Sequence, residues 1–455
     1  MKYLIPAFLL TLSLSATAQT LTLKVTNPSS IDRKDDPVAV KFREQKSIKS
    51  EVTKAYVTGE KGIVPSQLDD LNGDLRYDEL FFVTDIPAHT TQTFTITLNA
   101  DSPEAAEMKK SLEASPRIYT ALQLRDKKDL HPDVRRVEAA GSSNVFNDIY
   151  MHGMTIESEL VGYRIYFDQR QNIDLYGKKL RRIELPLTQF YTSAEQLAQD
   201  YGVDVLWAGQ AIGCGSFKDS KDGEPQNWTD VAVRGQRVVT TGPLRPIVEL
   251  YDLGVKKADT GDVFDMYQQY TLVAGHRDVK VDIRFEDRTA SKTAKQMIGI
   301  ADVMIKNGQK TILITRLSKE NAEEIGKQFC TGVQKVGVTA EDSVRMGHKS
   351  EGMLRKDGVV ASWGCDYPDM GKKQLWGPEP IGMAVYVPSA NITSQHESEL
   401  NYTYTVRPNS DNTLHYYLTF CAAKEKDGYH TSQEWFASLD GWKTTVSEPV
   451  KMTIK

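Results

Sequence analysis

The sequence predicts an all-β protein in which a small N-terminal β-sandwich precedes a large β-supersandwich with a few short helices. Three observations predict this fold class. Apolar and polar residues alternate along many short segments, as in Val38-Ala39-Val40-Lys41-Phe42, and this pattern is typical of half-buried strands. Clusters of Pro, Asn, Asp and Gly separate these segments. The chain has 455 residues, 40% of them apolar and 26% charged, which is enough for two or three globular domains.

The first residues predict export. Met1-Lys2 carries a positive charge, an apolar segment runs from Tyr3 to Leu14, and Ala16-Thr17-Ala18 has the small-x-small form of a signal-peptide cleavage site. The apolar segment is too short to span a bilayer, and no later apolar run reaches the roughly 18 residues that a transmembrane helix needs. We therefore expect a signal peptide at residues 1–18, a mature protein that starts at Gln19 without membrane insertion, and a periplasmic or secreted location in a bacterium.

We predict that residues 19–101 form the N-terminal β-sandwich domain. The segments Leu21-Thr22-Leu23-Lys24-Val25 and Thr93-Phe94-Thr95-Ile96-Thr97-Leu98 alternate as half-buried strands do. The domain is followed by a predicted helical linker at residues 102–116. In Ser102-Pro103-Glu104, the Ser is a good N-cap, the Pro suits the first helical position and the Glu favours the first turn.

We predict that residues 117–455 form the large domain, which also carries the candidate functional site. Segments 279–285 and 414–420 each alternate strictly, and Leu414, Tyr416 and Leu418 share a face opposite His415. Short helices are predicted near residues 194–201, 319–329 and 432–439. Ser193 to Gln196 and Thr431 to Glu434 have the spacing of a capping box. A stretch of about 340 residues is large for one simple sandwich. Its length therefore favours a double-layer supersandwich of the galactose-mutarotase-like kind, by analogy.

Composition and missing motifs exclude several classes of protein. The net charge is only −5 and no basic block is present, which argues against nucleic-acid binding. Four scattered Cys form no CxxC pair, so a zinc knuckle is not predicted. The chain has no GxSxG, HExxH or phosphate-binding GxxxxGK[ST] sequence. We therefore expect an enzyme or binding protein that requires no cofactor.

One loop resembles the start of a calcium site. Asp70, Asn72, Asp74 and Asp78 place oxygen side chains at positions 1, 3, 5 and 9, as hard calcium requires. Leu75 stands where such a loop usually has Gly, and the alternative is a plain hairpin turn at Asn72-Gly73. A structural calcium at these four residues is therefore an expectation to be tested.

The densest polar stretch runs from residue 147 to residue 179. Within Gly162 to Asp168, the side chains of Arg164, Tyr166 and Asp168 share one strand face, opposite Tyr163. A cation, a phenol and a carboxylate on one face indicate a binding site, and the alternative is an exposed face with cross-strand ion pairs. The stretch also contains His152, Glu157, Asp174, Tyr176 and Lys178.

Tryptophans in Gly- and Pro-rich loops point to a sugar ligand. Trp376 lies in Leu375-Trp376-Gly377-Pro378-Glu379, and flat rings stack on the apolar faces of sugars. The alternative is a loop Trp folded back over the core. Of the eight His, the candidates for catalysis are His152, in the polar stretch, and His415, on a strand whose other face is apolar.

These segments resemble a known family. His152-Gly153, Glu157-Ser158, Gly162 to Asp168 and Asp174-Leu175-Tyr176-Gly177-Lys178 resemble the core signature of the family called domain of unknown function 4861. Gly242-Pro243-Leu244-Arg245, Tyr267 to Gly275 and Trp376 to Glu379 support the resemblance. It implies a carbohydrate role in the polysaccharide-utilisation systems of Bacteroidota. It further implies β-elimination on uronic-acid oligosaccharides by a dehydratase or lyase, and it assigns no catalytic residues.

The residue inventory suits this chemistry. Removal of a proton α to a carboxylate needs a cation on that carboxylate, a base and an acid for the departing oxygen. Arg164 is predicted to bind the carboxylate, His152 or His415 to be the base, and Tyr166, or Tyr163 if a bulge turns it, to be the acid. We expect an anionic oligosaccharide substrate. The predicted substrate contacts are Tyr163, Lys178, Asp168, Glu157, Trp376 and Glu379.

Two other functions stay open at the level of sequence. A glycoside hydrolase would use two carboxylates from the set Glu157, Asp168, Asp174 and Glu379. A sugar-binding protein would use the same surface without chemistry. Elimination creates a conjugated double bond, hydrolysis creates a new reducing end, and binding creates neither.

Overall fold

The computed structural model describes residues 18–126, 130–257, 263–287, 301–306, 309–314, 329–336, 349–365 and 379–455. The predicted signal peptide up to residue 17, most of the predicted helix at 319–329, and Trp376 lie outside these residues. The described chain is mostly strand in antiparallel sheets, which confirms the all-β prediction.

Two sheets form the N-terminal sandwich. The five-stranded sheet contains β1 (Gln19–Thr26), β3 (Ala55–Gly59), β4 (Gly62–Val64), β7 (Thr91–Leu98) and β29 (Lys451–Ile454), in the order β29-β1-β7-β3-β4. The three-stranded sheet contains β2 (Arg33–Lys41), β5 (Ser66–Asp69) and β6 (Glu79–Ile86), in the order β2-β6-β5. The alternating apolar residues of both sheets, such as Leu23 and Phe82, form one core between them.

The last strand of the chain completes the first sheet. Residues Lys451–Ile454 pair with β1, with Leu23 opposite Ile454. The predicted division at residues 102–116 did not anticipate this return, because a four-residue strand with exposed side chains carries no alternation that names its partner.

Three further sheets contain most of the remaining strands of the described chain. A nine-stranded sheet has the order β23-β24-β25-β28-β19-β18-β17-β16-β9. Its strands are β9 (Arg136–Ala140), β16 (Val233–Thr240), β17 (Ile247–Lys256), β18 (Val263–Leu272), β19 (Val279–Asp287), β23 (Lys349–Lys356), β24 (Val359–Cys365), β25 (Pro380–Tyr386) and β28 (Thr413–Ala422).

Two five-stranded sheets pack against it. The first, here called the site sheet, has the order β13-β12-β11-β10-β8 and contains β8 (Ile118–Ala121), β10 (Gly153–Ser158), β11 (Gly162–Tyr166), β12 (Ile173–Gly177) and β13 (Val203–Asp204). The second has the order β15-β14-β22-β27-β26 and contains β14 (Lys218–Lys221), β15 (Glu224–Gln226), β22 (Phe329–Gln334), β26 (Ile392–Glu397) and β27 (Asn401–Val406). A separate hairpin pairs β20 (Ala301–Lys306) with β21 (Gln309–Ile314).

One apolar core joins these three sheets. It contains Ile165 from the site sheet, Val281 from the nine-stranded sheet and Val333 from the second five-stranded sheet. The inner face of each sheet is therefore used for packing in this core, and the side chains that alternate with the core residues lie on the outer faces.

The longest helix of the described chain packs on the nine-stranded sheet, where Trp435 joins Trp363 and Ala384 in an apolar cluster. Among the described residues, the α-helices are α1 (Pro103–Ala114), α2 (Leu185–Thr188), α3 (Ala194–Ala198) and α4 (Ser432–Ser447), and 3-10 turns occur at Phe42–Glu44, Tyr150–His152 and Ser389–Asn391. Ser102 caps α1, and the capping boxes at Ser193 and Thr431 start α3 and α4 as their spacing predicts. None of the helices in the described ranges is long and apolar enough to cross a membrane. The four Cys are buried and form no disulfide.

Candidate functional site

Strand β11 presents a polar cluster on the outer face of the site sheet. Tyr163 and Ile165 lie in the apolar core, so Arg164 and Tyr166 point to the opposite face because strand side chains alternate. The antiparallel register places Thr155 of β10 and Asp174 of β12 directly beside Arg164. Sheet geometry therefore gathers a cation, a phenol, a hydroxyl and a carboxylate.

Arg164 is a buried, ion-paired cation. Its Nη2 contacts the carboxylate of Asp174, lies 3.2 Å from Asp204 Oδ2 and donates to the Tyr166 hydroxyl over 2.8 Å. Burial disfavours the charge, but Asp174 keeps the pKa of this guanidinium above its ordinary value. Within the described chain, Arg164 Nε and Nη1 and Thr155 Oγ1 are buried without a hydrogen-bond partner. Such unmet groups are costly unless a ligand or water satisfies them.

The turn at Tyr150–His152 brings His152 close to Tyr166. Met151 and His152 have φ angles of 57° and 61°, a left-handed conformation that costs energy for residues other than glycine. The Phe146 ring stacks on the imidazole at a centroid distance of 3.8 Å, and the Tyr166 ring lies 6.3 Å from it. His152, Arg164 and Tyr166 therefore come together on one face, as the sequence predicts.

The protonation of His152 follows from its partner. Its Nδ1 lies 2.7 Å from the carbonyl oxygen of Phe146, and because a carbonyl only accepts, Nδ1 must carry the proton. Burial lowers the pKa of His152, and the charges of Arg164 and Arg125 lower it further, although the Phe146 hydrogen bond opposes this. The imidazole is therefore neutral near pH 7, with its lone pair on Nε2.

Tyr166 is held in its protonated form. Burial and the negative charge of Asp174 raise the pKa of Tyr166 well above its ordinary value. Its hydroxyl donates to Asp174 Oδ2 over 3.0 Å. A neutral base and a protonated phenol thus lie beside each other.

Further rings and cations surround this pair. Tyr191 is 46% exposed, its ring centroid lies 6.0 Å from Arg164 Cζ, and Tyr150 packs edge-on against it. We call Phe146, Tyr150, His152, Tyr166 and Tyr191 the aromatic cluster. Exposed Arg125 lies over the Tyr150 ring, with Cζ 5.6 Å from its centroid. Arg170 Cζ lies 5.5 Å from the centroids of both Phe146 and Tyr166.

A polar cavity of about 470 Å³ adjoins the aromatic cluster. The loop at residues 140–146 forms one wall, and Asp168, Arg170, Asn227 and Arg234 contribute to the others. Phe146 and Arg170 belong to both the cavity and the surroundings of His152. The volume lies within the range of small-molecule sites, about 300–1,000 Å³.

A buried lysine lies behind this cavity. Lys218 donates to the backbone oxygen of Arg170, to Asn172 Oδ1 over 2.7 Å and to Asn227 Oδ1 over 3.4 Å. Burial lowers the pKa of Lys218 to about 7, while the carboxylate of Asp168 favours its charged form. Lys218, Arg125 and Phe146 are not predictable from the sequence, because single residues in separate segments form no pattern before folding brings them together. Arg170 lies inside the polar stretch and was detectable there.

Glu157 and Lys178, predicted to contact substrate, form an internal ion pair instead. Glu157 is 0% exposed, its Oε1 lies 2.5 Å from Lys178 Nζ, and it accepts from the backbone N–H groups of Glu184 and Leu185. Lys178 also donates to the backbone oxygens of Ser158 and Arg182. Burial raises the pKa of Glu157. The pair fixes the segment that precedes α2, so its role is structural.

His415 and Tyr163 do not join the cluster. His415 lies on the outer face of the nine-stranded sheet beside Tyr267 and Asp282, and the core that contains both Ile165 and Leu414 separates it from Arg164. The period-two pattern placed His415 on an outer face correctly, but it cannot tell which of two outer faces. Tyr163 is a core residue whose hydroxyl donates to the backbone oxygen of Arg277.

Of the other predicted substrate contacts, Asp168 lies at the cavity and Glu379 does not. Asp168 lines the cavity, and its Oδ2 accepts from Arg170 Nε over 2.7 Å. Glu379 is buried and accepts the backbone N–H of Lys424 without lining the cavity. Trp376 lies outside the described residues.

The loop at residues 70–78 connects β5 to β6 as a hairpin. Asp70 accepts from the backbone N–H groups of Gly73 and Leu75. Asp78 accepts from the backbone N–H of Leu71 and from the side-chain amide of Asn72. Asp74 accepts from the Arg76 N–H. In the described ranges, no three or more His, Cys, Asp or Glu are grouped as metal ligands. Calcium binding here stays a prediction, which a melting curve with and without chelator tests.

Comparison with known proteins gives a family. The chain matches the family described as Domain of unknown function (DUF4861) over residues 25–322 and 303–452. No curated protein matches it. Among solved structures it is similar to an alpha-mannosidase from Enterococcus faecalis V583, with 8% identity and a TM-score of 0.34 over 96% of this chain and 46% of that one. A protein in the Glycosyl Hydrolase Family 38 from Enterococcus faecalis gives 8% identity and 0.35, over 96% and 47%. The chain thus spans less than half the length of either.

Proposed function

We propose that this chain, which belongs to the family of domain of unknown function 4861, is an exported carbohydrate-active lyase or dehydratase. It acts by β-elimination on oligosaccharides that contain uronic acids, in bacterial polysaccharide degradation. The aromatic cluster is its reaction centre.

The observation that carries this proposal is the state of His152. The Phe146 carbonyl holds the proton on Nδ1, and burial keeps the ring neutral, so Nε2 is available as a base near pH 7. Tyr166, kept protonated beside it, supplies the proton when its hydroxyl turns from Asp174 to the departing oxygen. A neutral base paired with a protonated acid is what elimination requires.

A flanking cation supplies the third requirement. The carbon acid is activated only when positive charge neutralises the carboxylate attached to it. Arg164 is already paired with Asp174, so it orients Tyr166 rather than gripping substrate. Exposed Arg125, over the Tyr150 ring, is the cation that an incoming carboxylate meets, whereas Arg170, beside Phe146 and Tyr166, is paired with Asp168.

The reaction balances with these groups and solvent. His152 Nε2 takes the proton from the α-carbon, and the C–H electron pair becomes the new double bond to the β-carbon. The bond from the β-carbon to its oxygen breaks, and that oxygen takes the proton of Tyr166. It leaves as water from a terminal unit or as a sugar hydroxyl from a linked one. Solvent then returns the proton to Tyr166 and removes it from His152.

Product analysis tests the proposal. The enzyme is incubated with a panel of uronic-acid oligosaccharides, and near-ultraviolet absorbance and product mass are followed. We expect rising absorbance together with loss of water or chain cleavage. New reducing ends without absorbance would establish hydrolysis, and unchanged substrate that still binds would establish a binding protein.

A further inference from the structure

The cavity beside the aromatic cluster has a chemistry of its own. It presents hydrogen-bond donors and one excess positive charge. Arg170 is paired with Asp168, and Arg234 Nε donates to Asp252 over 2.7 Å. Lys218, directly behind the wall, carries a charge below about pH 7, the value to which burial lowers its pKa, and it donates only to neutral oxygen acceptors. In that pH range its charge is the one left over.

Asn227 converts that buried charge into a ligand contact. An ammonium only donates, so the oxygen of the Asn227 amide must face Lys218, at 3.4 Å. The planar amide then directs its Nδ2 donors away from Lys218, and Asn227 lines the cavity. Arg234 uses Nε for Asp252 and Nη2 for the backbone oxygen of Trp228, which leaves Nη1 for a ligand.

We infer that this cavity is a subsite for a second, carboxylate-bearing sugar unit, next to the unit that reacts at His152. Donors and excess positive charge select an anion, and the hydroxyl and amide groups of Ser142, Asn144 and Gln210 suit the hydroxyls of a sugar ring. Phe146 separates the two places, since its ring stacks on His152 and also borders the cavity. The position of the second unit rests on the proposed function, whereas its charge rests on the cavity alone. The substrate is then an oligosaccharide with adjacent acidic units.

Direct binding tests the inference without turnover. Calorimetry is carried out with galacturonic acid, digalacturonic acid and cellobiose, on the wild type and on Asn227→Asp. We expect digalacturonic acid to bind at least about tenfold more tightly than the other two, and more weakly as salt is raised. Asn227→Asp replaces the donor by a carboxylate and neutralises Lys218, so it should weaken digalacturonic acid roughly tenfold to a hundredfold.

Gln226→Glu is the matched control. It adds the same charge at the neighbouring residue, which is exposed and does not line the cavity, so affinity should change by less than about twofold. Gln210→Ala should weaken the binding of digalacturonic acid about fivefold. Gln210 lines the cavity but is exposed, so this substitution does not disturb a buried residue. Melting curves establish that each variant is folded.

Three results overturn the inference: equal affinity for cellobiose, equal effects of Asn227→Asp and Gln226→Glu, or no binding of any probe at about 10 mM. Its failure is separable from that of the proposed function. Elimination that is unaffected by Asn227→Asp would refute the subsite alone. Selective digalacturonic acid binding without any elimination would refute the reaction alone.

Discussion

At the scale of single residues, burial changes what a charged side chain does. Arg164 is 3% exposed and shares its charge with Asp174 and Asp204, whereas Arg125 is exposed over the Tyr150 ring. The spacing of polar residues predicted that a cation belongs to the site. It did not distinguish a cation that organises the site from one that meets substrate, because exposure is a property of the folded chain.

Arg164→Ala should therefore mainly lower stability, and Arg125→Ala should mainly weaken binding. Removing Arg164 leaves the Asp174 carboxylate buried without its cation, which should lower the free energy of unfolding by about 3–5 kcal/mol. Removing Arg125 should change it by less than about 0.5 kcal/mol but weaken binding of an anionic sugar. Urea denaturation and calorimetry measure the two quantities. Equal stability of Arg164→Ala and wild type would contradict the structural role.

At the scale of elements, one glycine allows a close contact among three strands near the cavity. Gly235 of β16 lies opposite Tyr251 of β17, and a Cβ at 235 would come within 2.0 Å of the Tyr251 ring. The Tyr251 hydroxyl donates to Glu138 and accepts from Arg136, both on β9. Strand β9 leads directly into the loop at residues 140–146, so this contact positions one wall of the cavity.

Gly235→Ala should destabilise the protein by about 1–3 kcal/mol, because the added methyl group displaces the Tyr251 ring. Gly441→Ala is the control, since the nearest atom to a Cβ there is Ile31 Cδ1 at 3.7 Å and the residue lies within α4. That change should stabilise the protein by up to about 1 kcal/mol. Thermal unfolding gives both signs, and a shift of the same sign in both variants would refute the close approach.

At the scale of the whole molecule, ionic contacts connect the N-terminal sandwich to the large sheets. Arg117 bridges Asp35 and Glu159 over 2.8 and 2.7 Å. Arg245, in the Gly242-Pro243-Leu244-Arg245 segment that resembles the family, contacts Asp69 and Glu79 of the sandwich. That segment therefore contributes to the contact between the sandwich and the large sheets.

His276 makes this interface sensitive to pH. Its Nε2 donates to the Asp35 backbone oxygen over 2.9 Å, and its Nδ1 lies 3.2 Å from Asp278 Oδ1. Burial opposes the charge, but Asp278, Asp35 and the charge of Asp36 raise the pKa of His276 to about 9. A raised pKa contributes stability that is complete below the unfolded value of about 6.5 and is lost as pH rises through about 9.

The free energy of unfolding should thus fall between about pH 6.5 and pH 9, by at most about 3 kcal/mol from this group. His276→Gln keeps a polar side chain but cannot titrate, so its stability should be lower and flatter across this window. Urea unfolding at several pH values measures the slope. Parallel curves for the variant and the wild type would remove His276 as the cause.

Sequence reasoning succeeded where the pattern is local. Alternation predicted the strands at 21–25, 93–98 and 279–285, and capping residues predicted the starts of three helices. The grouping of His152, Arg164 and Tyr166 was predictable because they lie on paired strands or the adjoining turn. The placement of His415 depended on which outer face it occupies, and the joining of β29 to β1 depended on long-range pairing. Neither leaves a trace in local spacing.

The elimination rate of His152→Ala, compared with that of His415→Ala, tests the central claim most directly. Both substitutions remove an imidazole from a sheet's outer surface, but only His152 lies beside Tyr166. On a uronic-acid oligosaccharide that the wild type converts, we expect His152→Ala to lower kcat by about 10²–10⁴-fold with KM nearly unchanged. His415→Ala should retain nearly all activity. Full activity in His152→Ala, or an equal loss in both variants, would contradict a reaction centre at the aromatic cluster.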